Sequence, residues 1–154
     1  MNIGFRNKIK PFIQAEFILA TQARSLGDNL KEFKYLENAH VLGQESTYFH
    51  VYIHFCMFAW ACRNKNIREF FGQLFRVIGA ATKTCFGLVP QGNTGGFNVS
   101  PFKVMPIDSD LAIKIQMAKS NISQAVQAGQ KTVCCFVPHI LANHFLPLNR
   151  ALSI

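Results

Sequence analysis

NLKEFKYLENAHVLGQESTYFHVYIHFCMFAWACR, residues 29–63, is the stretch whose reading decides the fold. Its first part spaces apolar side chains at helical intervals. Leu30, Phe33, Leu36, Ala39 and Val41 form one inward stripe, which predicts a helix over 29–42. Gly43 stands where a helix-terminating glycine belongs. Ser46 and Thr47 are N-cap residue types, and the uncharged run after them predicts a second helix over about 46–63. Two helices joined by so short a turn pack antiparallel, as a hairpin. The 17 residues Ser46–Cys62 carry no charge. That only reaches the lower limit for crossing a bilayer, and His50 and His54 at its centre are costly in lipid. A buried core helix and no membrane span are therefore expected.

The pattern continues outward. Residues 11–26 predict a preceding helix with Pro11 in its first turn and Phe12, Ile13, Phe17, Leu19 and Ala20 inward. Gly27-Asp28-Asn29 ends it in turn residues. Beyond the polar break Arg63-Asn64-Lys65-Asn66, a fourth helix is expected at about 66–82. The chain thus reads as all-α, in antiparallel, repeat-like helical hairpins. Residues 85–107 hold four glycines and three prolines and show no helical period. They predict a long arm, with Phe86, Val89, Phe97, Val99 and Phe102 as apolar anchors on the helices. Asp108 or Ser109 caps a fifth helix to about 128, with Leu111, Ile115 and Ala118 inward. The expected domain is 1–128. The stretch 129–154 is expected to be a tail with a short helix near 139–146.

Composition narrows the class. Hydrophobic residues make up 49% of the 154, charged ones 16%, and there are 15 Phe, which excludes an intrinsically disordered chain. The net charge of +8 comes from few acids, and the basic residues are scattered without nucleic-acid-binding spacing, so no nucleic acid is expected as partner. Five cysteines, an odd number without C-x-x-C, argue against a disulfide framework or a zinc knuckle. MNIGFRNKIKPF is not followed by a signal-type apolar stretch. A reduced, cytoplasmic setting is expected.

The phrases AHVLGQ (39–44), GAATK (79–83) and GNTGG-NVSPF (92–102) resemble a family of small bacterial proteins known only as a domain of unknown function. The likeness covers roughly residues 11–118 and implies no activity. Separately, GDNLKEFKYLENAHVL resembles the second helix of a tetratricopeptide repeat, with Ala39 at a small-residue position. It departs from that pattern at Glu32 and in lacking a closing proline.

One constellation points to chemistry. Glu37-x-x-His40 places a carboxyl and an imidazole one turn apart, and His50-x-x-x-His54 pairs two imidazoles on the next helix. Glu16 lies among Phe12, Ile13, Leu19 and Ala20, and a carboxyl on an apolar face needs a partner. Glu16, Glu37, His40, His50 and His54 are therefore candidate ligands of a mononuclear zinc, iron or manganese site between the second and third helices. A di-iron bundle needs two Glu-x-x-His motifs, and this chain has one. The competing reading is a structural polar network. The glycine segment 92–96 lacks the Lys and Ser/Thr of a phosphate loop and reads as a turn. There is no G-x-S-x-G, and Cys56, Cys62 and Cys85 read as small core residues. The aromatic set Tyr48, Phe49, Tyr52, Phe55, Phe58 and Trp60 reads mostly as core, any excess being a partner surface. By sequence alone a protein-interaction or self-association module ranks first and a metal-binding protein second, with no catalytic residue assigned.

Overall fold

The computed structural model describes residues 3–83 and 89–120. Five helices follow in order: α1 Ile3–Ser25, α2 Asn29–Gly43, α3 Thr47–Arg63, α4 Ile67–Lys83 and α5 Ser109–Lys119. Among the described residues there is no strand, so the protein is all-α. α1 and α2 form one hairpin and α3 and α4 another. α2 also packs on α3, and α5 lies against α1 and α2. The expected continuation of the fifth helix to 128 and the helix near 139–146 lie outside the described residues, as do Cys85 and Phe86.

α1 begins earlier than the sequence suggested, and Pro11 is inside it rather than in its first turn. Phe5, Ile9 and Ile13 recur every four residues and are all buried, so the helix gains core contacts along its start. Asn7 and Pro11 face solvent, where the carbonyl left unbonded by the proline can be hydrated. Asp28 caps α2 by accepting from the Lys31 amide at 3.0 Å. Leu30, expected inward, is 82% exposed. It lies six residues before Leu36, about 120° round the helix from it.

Gly43 has a different role from the expected one. It is the last residue of α2, and Gln44 after it stays right-handed. A Cβ on Gly43 would sit 2.8 Å from Ile53 Cδ1 and 3.0 Å from Phe49 Cβ. The glycine therefore lets the end of α2 touch the start of α3. At the other end of this pair, Trp60 Nε1–H donates to Asn29 O at 3.0 Å, and Arg63 pairs with Glu32 at 2.5 Å. The apolar core, with Ile9, Ile13, Leu36, Leu42, Ile53 and Met57 at its centre, lies among α1, α2, α3 and α5. Tyr48, Tyr52 and Phe55 are exposed and Cys62 is exposed, so the aromatic set is split and Cys62 is no core residue. α3 is apolar almost all round, so its sequence carries no stripe to say which side is buried. No helix among the described residues is long and apolar enough to cross a membrane.

α4 faces the opposite way from an ordinary amphipathic helix. Ile67, Phe71, Leu74, Phe75 and Ile78 are exposed, while Glu69 and Gln73 are buried. The reason is what covers its inner face: the backbone of the arm, which offers N–H and C=O groups rather than methyls. Gly92, Asn93, Gly95 and Gly96 are the buried part of the arm. The expected aromatic anchors Phe97 and Phe102 are 49% and 71% exposed. The arm packs on the helices through hydrogen bonds. Phe97 adds a lid over Gly72, where a Cβ would come within 2.6 Å of its ring.

Candidate metal centre

His40 comes from the last turns of α2, and His50 and His54 from successive turns at the start of α3. The close approach at Gly43 brings these two helix ends together. All three imidazoles are buried, and one nitrogen from each lies within 4.8 Å of the others. Ring centroids are 4.7 Å apart for His40–His50, 4.6 Å for His40–His54 and 5.0 Å for His50–His54.

Hydrogen bonds assign the tautomers of two rings. His40 Nδ1–H donates to the carbonyl of Asn93 at 2.8 Å, and a carbonyl can only accept. His54 Nδ1 meets Gln73 Oε1 at 2.6 Å. The Gln73 amide cannot be turned round. Its NH2 donates to Glu69 Oε1 at 2.5 Å and to Gly95 O at 2.8 Å, both acceptors. So His54 Nδ1 also carries its hydrogen. In the neutral rings both Nε2 atoms are then bare lone pairs, and they face one another at 3.1 Å. Two nitrogens on a tetrahedral zinc, with Zn–N of about 2.0–2.1 Å, stand about 3.4 Å apart.

An imidazolium could bridge the two nitrogens with a proton, but the surroundings oppose it. Burial holds His40 well below its ordinary 6.5, helped by the other two histidines. Burial and His54 push His50 down to about 3. Burial lowers His54 to about 4, although its bond to Gln73 favours the charged form. The Arg76 guanidinium adds repulsion at all three. The rings are therefore neutral at pH 7, which is the state that binds a metal.

The arm is fitted to this cluster. Gly95 has φ +82°, and a Cβ there would lie 2.9 Å from His40 Cγ and Cδ2. Only glycine allows both that backbone turn and the approach to the ring. Asn93, 2% exposed, holds the turn by donating to Ser100 O and Lys103 O, each at 2.8 Å, and accepting from Gly95 N at 3.0 Å. From α4, both carboxyl oxygens of Glu69 accept from Phe97 N at 3.1 Å. Arg76 Nη2 donates to Gly96 O at 2.9 Å and to Val99 O.

The two acidic candidates lie elsewhere. Glu16 is buried and partnered by Lys114 Nζ and Asn38 Nδ2, each at 3.2 Å. Glu37 sits at the edge of the arm, 4.0 Å from Lys34 Nζ, and burial raises its carboxyl above the usual range. Neither joins the three-histidine group. Sequence reading missed Glu69, Gln73, Arg76 and Asn93. The first three had a signal, since i, i+4, i+7 puts them on one polar stripe of α4. Asn93 had none for its contact with His40, which it makes through its backbone carbonyl.

A cavity of about 140 Å³ opens beside the three imidazoles, bounded also by Phe75, Arg76, Ala80, Val89 and Pro101. Residues 7–115 match the profile of a protein family described as "Protein of unknown function (DUF3703)". No curated protein and no solved structure gives a significant match.

Proposed function

This chain belongs to the DUF3703 family, and from its own geometry we propose that it binds one divalent transition metal through His40, His50 and His54. The observation that carries this reading is the pair of Nε2 lone pairs at 3.1 Å, each on a ring whose other nitrogen is committed to a carbonyl oxygen. Two lone pairs facing one another repel, and a shared cation removes the repulsion. Bonds from Nδ1 to carbonyl acceptors are the outer-shell arrangement that orients metal-binding imidazoles. Three nitrogen donors suit zinc, and fit manganese less well than the mixed nitrogen and oxygen set expected from the sequence. Three protein ligands would leave a fourth position for another ligand, and the cavity is lined by the same three imidazoles. A metal there would supply Lewis acidity and lower the pKa of a bound water. Glu16 and Glu37 stay outside this ligand set in our reading.

The test is elemental analysis of protein purified without an affinity tag, with melting curves before and after adding zinc, iron or manganese. About one equivalent of metal and a raised melting temperature, both abolished in His50→Ala, are expected. Less than a tenth of an equivalent, with no melting shift, overturns the proposal.

A second reading, a protein-interaction or self-association surface, is favoured by a separate observation. Five large apolar side chains stand exposed on α4: Ile67, Phe71, Leu74, Phe75 and Ile78. Contiguous apolar stripes of this kind mark contact surfaces. Sedimentation equilibrium of the metal-free protein tests its self-association form. A monomer at all concentrations rules that form out.

A further inference from the structure

We infer that the fourth position of the proposed metal site takes a small carboxylate-type oxyanion, one oxygen on the metal and another on the Arg76 guanidinium. This rests on the metal reading above. Among the described residues that line the cavity beside the imidazoles there is no carboxyl, and Arg76 is the one charged side chain. Nη2 of that arginine is tied to Gly96 O and Val99 O. The arm therefore holds the guanidinium in a fixed orientation, and among the described residues no carboxylate forms a salt bridge with it. Glu69 lies near but gives its oxygens to Phe97 N and Gln73 Nε2.

A divalent ion on three neutral imidazoles would add two positive charges beside this arginine. Partly desolvated cations with no anion between them are costly, so the remaining metal position favours an anionic ligand over a neutral one. The shape of the donor narrows the class. A guanidinium presents N–H groups in one plane, which match a planar O–C–O group better than a spherical ion. Phe75, Ala80, Val89 and Pro101 give the rest of the wall an apolar character. That admits a short hydrocarbon substituent behind the oxyanion group. Acetate and bicarbonate share the recognised group and differ in what stands behind it.

The full chain is loaded with Co(II), whose visible absorption reports coordination, and titrated with acetate, bicarbonate and chloride. Saturable spectral changes are expected with acetate and bicarbonate at concentrations where chloride has little effect. With affinity read per chain that holds Co(II), Arg76→Met should weaken oxyanion binding about tenfold or more, the loss of a charge-assisted hydrogen bond. Arg76→Lys should lie between the two and serves if the methionine variant does not fold. A wild-type spectrum unmoved by either oxyanion overturns the inference, as does equal affinity in wild type and both variants. In both cases the metal site stands. A chain that takes up no Co(II) removes the metal reading and this one with it. A stronger response to acetate than to bicarbonate assigns the apolar wall to an organic acid. The reverse order assigns the site to an inorganic oxyanion, and either order upholds the shared recognition.

Discussion

Two buried regions of this molecule are built on different physics. Among α1, α2, α3 and α5 lies an apolar core, with Ile9, Ile13, Ile53 and Met57 at 0% exposure. Between α2, α3, α4 and the arm lies a polar one, where His40, His54, Gln73 and Asn93 are as well buried. The first is held by area removed from water, a non-directional effect that tolerates changes of shape if volume is kept. The second is held by hydrogen bonds, each with one donor and one acceptor, where a lost partner leaves a buried group unsatisfied. Burial alone therefore does not say what a residue is for. The partner does.

The largest expected effect tests the independence of the two regions. Met57→Ala removes a fully buried side chain from the apolar core. It should cost about 2–5 kcal/mol in urea unfolding. The Nδ1 bonds of His40 and His54 do not involve Met57, so metal stoichiometry should be unchanged. Loss of metal binding in this variant would mean that the two regions are one.

Acid should act on the polar region. His50 and His54 have folded values of about 3 and about 4 against an ordinary 6.5. Their folded pKa is depressed, so the unfolded chain takes up protons first as pH falls. Stability of the metal-free protein is then complete above about pH 6.5 and drains away between there and about 4. His54 alone accounts for on the order of 3 kcal/mol. Denaturant midpoints measured from pH 8 to pH 4 check this. A midpoint flat down to pH 4.5 would show the rings exposed to water. Imidazoles at their ordinary value would lose metal to protons below about pH 6.5. Burial moves that competition in the folded metal-free protein to lower pH.

A smaller effect separates a metal centre from a mere polar network. Gln73→Leu takes away the acceptor that fixes the His54 tautomer. Zinc affinity should fall by about 10–100-fold, the usual loss for an outer-shell partner. Competition titration against a chelating dye reads it, and an unaltered affinity would break the link between that bond and metal binding. The smallest effect belongs to the outer face of α4. Phe71→Ser, at 53% exposure, should change the stability of the monomer by no more than about 0.5 kcal/mol. A loss of several kcal/mol would show that this stripe is covered in solution.

The helices were legible in the sequence because each depends on neighbours three and four residues away. Leu111, Ile115 and Ala118 went inward as their spacing required. The two turns of imidazole on α3 could likewise be paired from spacing alone. What could not be read is which side of a helix meets what. Leu30 shows this by facing water. Glu16 is buried on the apolar face where its spacing put it, but its partner Lys114, 98 residues away, could not be named from the sequence.

The residues on their own determined the all-α class, the two hairpins and the histidine pair, since these follow from local periodicity and turn chemistry. Only the tertiary structure decided that His40 joins that pair without Glu16 or Glu37, that α4 turns its polar stripe inward, and that the arm docks by Asn93 and Gly95 rather than by Phe102. Those outcomes rest on contacts between distant segments, 53 residues apart for His40 and Asn93. There a backbone carbonyl acts as the partner, and a carbonyl is the same atom whatever side chain it belongs to.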